Sequence, residues 1–391
     1  MIKTTQKQSF KTHFIKHLSR FKNHVQSNQT LHYLLFGAGL AVLFLAPYYD
    51  SIPGSSTTNS QLARMMYFTV AALGLNLLLG FGGLISLAVA GFIGLGVILP
   101  AFFMVTYEWT FEFSVLITLI IAIVIGIIVG LFSLKVDGIY LAIGTLFVGS
   151  IMTNIFTRVL PIESSNIRIG AINFLGRYEL RASASYFQLR TGIAQYDRYY
   201  LGLILIGLLV LAMIVTNNII KSRTGRALMA MSRSSSAAQA MGVHIAKYRI
   251  MAFTISIVFA TVSGIMYLIW EQDAIKYGWG LDLTLFILAV VMVGGIKSIF
   301  GMFIGAFVIF ALPQLYIQEY LNRFSAYLLE RHEIVWSPQG FTTIFAGLLI
   351  ILVILYYPNG LVYIWYDIKK LTRKIKPKLI QLIKKVGGKR G

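Results

Sequence analysis

Little in this chain can move a proton or attack a bond. Its six histidines, His13, His17, His24, His32, His244 and His332, all lie outside the apolar cores, His32 at the very start of the first run. No His-Glu-x-x-His occurs, no acidic pair lies inside an apolar run, and the chain has no Cys. Those absences exclude a thiolate nucleophile and a disulfide framework, and no metal site is expected. Without an intramembrane acid pair there is no proton relay and no intramembrane hydrolase to expect. No Gly-x-x-x-x-Gly-Lys-Ser/Thr loop is present to cradle a phosphate, so the chain cannot drive itself with nucleotide. What remains inside the apolar runs is weakly polar groups, among which Asn76, Ser86, Thr145, Ser150, Asn154, Thr254 and Ser263 are the candidates to face the protein interior. Amides and hydroxyls exchange hydrogen bonds without holding charge, and on a membrane helix they turn from lipid toward neighbours or a water-filled path. Such groups suit a translocation path better than a tight binding site.

The elements that must position them are membrane spans. The 391 residues are 57% hydrophobic and 12% charged, with a mean hydropathy of +0.75, whereas soluble domains carry roughly 25% charged residues. The apolar runs reach the length of about 20 residues that a crossing needs. An all-α polytopic fold of about ten helices is expected, with runs at 31–49, 62–105 (interrupted), 113–132, 138–159, 199–220, 250–270, 281–312 (interrupted) and 341–357. The run at 31–49 is too long for a signal-peptide core. Residues 1–30 form a basic N-terminal extension, 31–361 the transmembrane domain, and 362–391 a basic tail. The net charge of +20 sits in these two ends and in a central loop, so it reports orientation in a lipid bilayer and no nucleic-acid partner. With both termini cytoplasmic, ten crossings leave only Asp137 and Asp367 of the fourteen acids on the inside.

Glycine marks where the spans break. Gly80, Gly82 and Gly83 interrupt one run, and Gly294 and Gly295 interrupt another. Gly82-Gly-Leu-Ile-Ser86 is echoed by Gly294-Gly-Ile-Lys-Ser298, and Gly91 and Gly94 follow the first as Gly301 and Gly305 follow the second. Glycine costs a helix about 1 kcal/mol against Ala, so this density implies close packing or a break at a substrate path. Corresponding interrupted segments in two halves of a transporter point to a path near the bilayer midplane.

The central polar segment, 221–249, carries Lys221, Arg223, Arg226, Arg233, Lys247 and Arg249 and no acid. Gly225 and Gly242 bracket a run that reads as one short helix, with Leu228, Met231, Ser235, Ala238 and Gly242 on a narrow, mostly apolar face. A helix held there between two spans offers a docking knob to a soluble partner. Ala237-Ala238 followed by Gly242 resembles the Glu-Ala-Ala…Gly loop of ABC importer permeases, with Ser236 where that motif has its acid. GRALMAM, VHIAKYRIMAF, GFGGLISL and GIYLAIGTLFVGSI are similar to segments of LivM-type branched-chain amino-acid permeases. Lys297 and Met302 depart from the Gly and Pro usual in that family.

The resemblance implies a permease subunit of an ABC importer in the inner membrane. It would pair with a second, LivH-like permease, dock two ATPase subunits from the cytoplasm and accept solute from an extracytoplasmic binding protein. The chain itself would hold no cofactor, since ATP would be bound by the partner. Gly225, Arg226, Arg233, Ser236, Ala237, Ala238 and Gly242 would form the docking loop. The substrate implied is a branched-chain amino acid, with urea, short amides or nucleosides as alternatives. A secondary transporter or channel remains a second class, which flux without an ATPase would reveal.

Overall fold

The computed structural model describes residues 29–49, 55–159, 166–168 and 194–314, with isolated positions between 325 and 361. Residues 1–28, the loop 169–193 and the tail 362–391 lie outside the described residues, as does most of the crossing expected at 341–357.

In chain order, α1 (Gln29–Tyr49) is followed by α2 (Ser55–Asn76), which ends in one wide π turn, Leu77–Phe81. Residues 82–88 are not helical, and α3 (Val89–Thr106) begins after them. α4 (Phe111–Phe132) and α5 (Gly138–Asn154, extended by a π turn at Ile155–Val159) come next, then strand β1 (Asn166–Arg168). α6 (Ala194–Lys221) leads to two short helices, α7 (Arg223–Arg233) and α8 (Ser235–Ala240), before the long α9 (Ile245–Glu271). Strand β2 (Asp273–Ile275), α10 (Leu281–Gly294) and α11 (Ile299–Ala306, with a π turn at Phe307–Ala311) follow. Among the described residues six helices are long and apolar enough to cross a membrane, and three shorter apolar ones accompany them. The chain is an all-α polytopic membrane protein with glycine-rich broken segments. The tenth expected crossing falls where only isolated positions are described.

α4 shows why this is a membrane fold. After Phe111 at its start, its buried positions are Ser114, Thr118, Ala122, Gly126, Val129 and Gly130, at helical spacing, while Leu116, Ile120, Ile123, Val124, Ile127 and Ile128 point outward. Large residues outside and small ones inside reverse a soluble helix, and in lipid that arrangement lets backbones pack closely. Gly126 and Gly130 take this up: a Cβ at either would lie 2.7 and 2.8 Å from the Cα atoms of Thr254 and Ile250 on α9. α9 is the central post, packing against α2, α3 and α4.

The loops fall at two ends of the bundle. At one, β1 pairs antiparallel with β2, Ile167 opposite Ala274, so the segments after α5 and α9 meet. At the other, Arg249 forms an ion pair with Asp137 and donates to the Ser133 carbonyl at 3.0 Å. Asp137, one of the two acids expected on the basic side, therefore has its counterion in the basic loop.

Candidate translocation cleft and docking loop

The two interruptions supply the site's unusual backbone. α2 ends, the chain turns at Gly83 (φ +68°), and residues 83–88 run without helix to the start of α3. α3 begins beside the second half of α5: a Cβ at Gly91 would sit 3.1 Å from Gly149 Cα. Non-helical backbone inside an apolar bundle needs partners for its N–H groups, and Ala88, at the head of α3, has no side chain to cap it. Neighbouring hydroxyls act instead. Leu87 N–H donates to Thr145 Oγ1 at 2.9 Å, and Ala90 N–H to Thr284 Oγ1 at 3.1 Å. Ala88 N–H reaches Ser86 Oγ at 3.4 Å. The second interruption closes tightly between α10 and α11, with Gly295 at φ +105° and Lys297 at φ +72°. Ser298 caps α11 by accepting from Gly301 N–H at 3.0 Å.

Asn76 joins the two. It is fully buried, its Oδ1 accepts from Lys297 N–H at 2.9 Å, and its Nδ2 donates to the Ser298 carbonyl at 3.5 Å. Gly80 lies against the same turn, where a Cβ would meet Lys297 N at 3.2 Å.

Between the head of α3, α5 and the head of α10 lies a cleft of about 190 Å³. Leu87, Leu146, Leu281 and Trp279 give it apolar walls, Ser150, Thr153, Asn154 and Thr284 give it polar groups, and among the described residues no ionisable side chain lines it. Thr153 Oγ1 donates to the Gly149 and Trp279 carbonyls at 3.1 and 3.2 Å. Asn154 Nδ2 donates to the Ser150 carbonyl at 2.9 Å, leaving its Oδ1 to accept.

The expected path set therefore divides. Ser150 and Asn154 line the cleft. Asn76, Ser86 and Thr145 do not; they serve the interrupted backbone one layer behind it. Thr254 and Ser263 are packing groups on α9: the first bonds back to the Ile250 carbonyl at 2.9 Å, the second to the Tyr67 carbonyl of α2 at 2.6 Å. Thr284 and Trp279 were not singled out from sequence. Only Thr284's place one turn into a span, just after a glycine, hinted at it.

The polar loop also differs from its expected form, being two helices rather than one. Ser222 caps α7 by accepting from Gly225 N–H at 3.4 Å, and Ser234 caps α8 by accepting from Ala237 N–H at 3.3 Å. Gly225 is thus inside α7 and buried, where the Ile219 and Ile220 carbonyls leave no room for a side chain. Leu228 and Met231 face the bundle as the periodicity implied, whereas Ser235 and Gly242 are exposed. Ala238 is only 5% exposed, so its small size serves the chain's own packing. Arg226, Arg233, Ser236 and Ala237 face outward, as does Met241 at 85% exposure. Gly242, at φ +82°, turns the chain out of α8, and its N–H donates to the Gln239 carbonyl at 2.9 Å.

The family described as "Branched-chain amino acid transport system / permease component" matches residues 57–354. The high-affinity branched-chain amino acid transport system permease protein LivM of Escherichia coli (strain K12) is 26% identical over 316 residues, covering 77% of this chain and 73% of LivM. LivM of Salmonella typhimurium is likewise 26% identical, over 319 residues. No solved structure matches the chain.

Proposed function

The chain belongs to the family of branched-chain amino acid transport permease components, and we propose that it is the membrane subunit of an ATP-driven importer for branched-chain amino acids. The observation that carries this reading is the cleft: it lies beside backbone left non-helical at the head of α3, and that backbone is served by hydroxyls from two further helices. Irregular backbone in a membrane bundle is tolerated where it is buried in protein or lines a cavity, and here it does both. Leucine-rich walls with Trp279 accept an aliphatic side chain, while hydroxyls and the Asn154 amide meet polar groups through neutral hydrogen bonds. The two similar LivM proteins are named for the same class of solute.

The outer faces support a division of partners. α4 presents large apolar residues outward and belongs against lipid. α5 carries exposed Ser150 and Asn154 among Phe147 and Ile151, and polar groups on a membrane helix seek protein. That favours a second permease along α5, with the cleft near the seam. The exposed face of α7 and α8, with Arg226, Arg233, Ala237 and Met241, is assigned to the ATPase on the cytoplasmic side, and the end carrying β1 and β2 to the solute-binding protein. The basic loop sets this orientation by the positive-inside bias.

The test is leucine uptake into vesicles by the complex that co-purifies with the chain. Uptake is expected to require ATP, and changing both Ser150 and Asn154 to Leu is expected to reduce it while the complex still assembles. Uptake that runs at full rate without ATP would make the chain a channel or secondary carrier.

A further inference from the structure

The docking loop touches the segment that leads to the cleft. Gly83 sits on the last turn of α7, where an added Cβ would lie 3.1 Å from Ser232 Cβ and 3.2 Å from Ser232 Cα. Its left-handed backbone, φ +68°, is itself strained for any residue bearing a side chain. From Gly83 the chain runs without helix to Leu87, in the cleft wall. The segment ends on hydrogen bonds to two helices that flank the cleft, Leu87 N–H to Thr145 on α5 and Ala90 N–H to Thr284 on α10. It is a strut with one foot on α7 and the other at the cleft. α7 is held by its buried Ala227, Leu228 and Met231, whereas the strut lacks a ladder of backbone bonds and moves at lower cost than a helix.

We propose that Gly83 and Ser232 are positioning residues for transport: displacement of α7 and α8 enters residues 83–88 at their contact and shifts Leu87 in the cleft wall. This rests on the reading of 221–249 as the ATPase-docking loop. It assigns the moving part of the cleft to the strut, with α5 and α10 as its anchors.

The experiment uses the assembled complex in lipid nanodiscs, with Ile85→Cys as reporter, since Ile85 is exposed on the strut and the chain has no other Cys. Its labelling rate by a thiol reagent is expected to differ between nucleotide-free and ATP–vanadate states, and the difference is expected to vanish in Gly83→Ala. Gly83→Ala is also expected to raise the ATP hydrolysed per leucine imported. Ser232→Gly in the same chain is expected to reverse part of that rise by removing the side chain that the new methyl meets. Equal labelling in both states, from a complex that imports leucine and hydrolyses ATP, would overturn the proposal and leave the importer reading standing. Should Gly83→Ala fail to insert, the reporter in the otherwise native chain still decides. A native complex that recruits no ATPase defeats the importer reading, and this inference with it.

Discussion

The two interruptions share a short sequence and use it differently. In Gly82-Gly-Leu-Ile-Ser86 and Gly294-Gly-Ile-Lys-Ser298 the second glycine is left-handed, Gly83 and Gly295 alike, and a serine stands ahead of the next helix. At the second break Ser298 caps the next helix itself, while Asn76 and Leu361 only brace the turn from outside, Asn76 by accepting from Lys297 N–H and Leu361 N–H by donating to the Val293 carbonyl. At the first, Ser86 stands too early to cap α3, and the helix is served from α5 and α10. A turn that caps itself is a joint of fixed shape. A break capped by its neighbours takes the shape they allow, and so responds to whatever moves them.

Asn76 spans both breaks, and its replacement should have the largest effect. Asn76→Leu removes both bonds to the second turn and leaves the part-buried Lys297 N–H without its acceptor, at a cost of about 3 kcal/mol for the two together. Thermal unfolding in detergent measures it, and a stability within error of native would mean that the breaks are not joined. Thr145→Val and Thr284→Val come next, each at about 1–3 kcal/mol for an orphaned N–H. Ser298→Ala is expected at about 1 kcal/mol, the usual loss of a cap, with transport nearly unchanged. The comparison fails if Ser298→Ala abolishes uptake while the two threonine variants leave it intact. The smallest effect has the opposite sign. Lys297 holds φ +72°, where a side chain costs about 1–2 kcal/mol, so Lys297→Gly should stabilise the protein by about 1 kcal/mol. Lowered stability would mean that the lysine's charge or stem contributes more than its backbone costs.

Much of this was legible in the sequence, and the limit is physical. Glycine clusters located both breaks because a left-handed turn favours glycine whatever surrounds it. The departure at Lys297 is legible for the same reason: it stands at a left-handed position, where glycine fits without strain. Asn76 and Thr145 were recognisable as inward-facing polar groups, since lipid forbids the alternative. Their partners were not, because the N–H groups they serve belong to segments far away in the chain. The split of the docking loop hid in Ser-Arg-Ser-Ser-Ser, residues 232–236, where any serine offers a cap and only the fold chooses Ser234. Ala238 looked like contact surface for another protein because small size serves an internal interface equally well.

The bonds that settle the first break also fix when it can settle. Leu87 finds Thr145 after 58 residues, Ala90 finds Thr284 only after 194, and Asn76 waits 221 for Lys297. A chain made at about 5–20 residues per second spends on the order of ten seconds or more between Asn76 and its partner. For most of that interval Ala90, at the head of α3, has a donor without its acceptor in a setting that penalises it. Insertion is therefore not a series of finished crossings: the third helix enters early and is completed late, when the tenth arrives to close it.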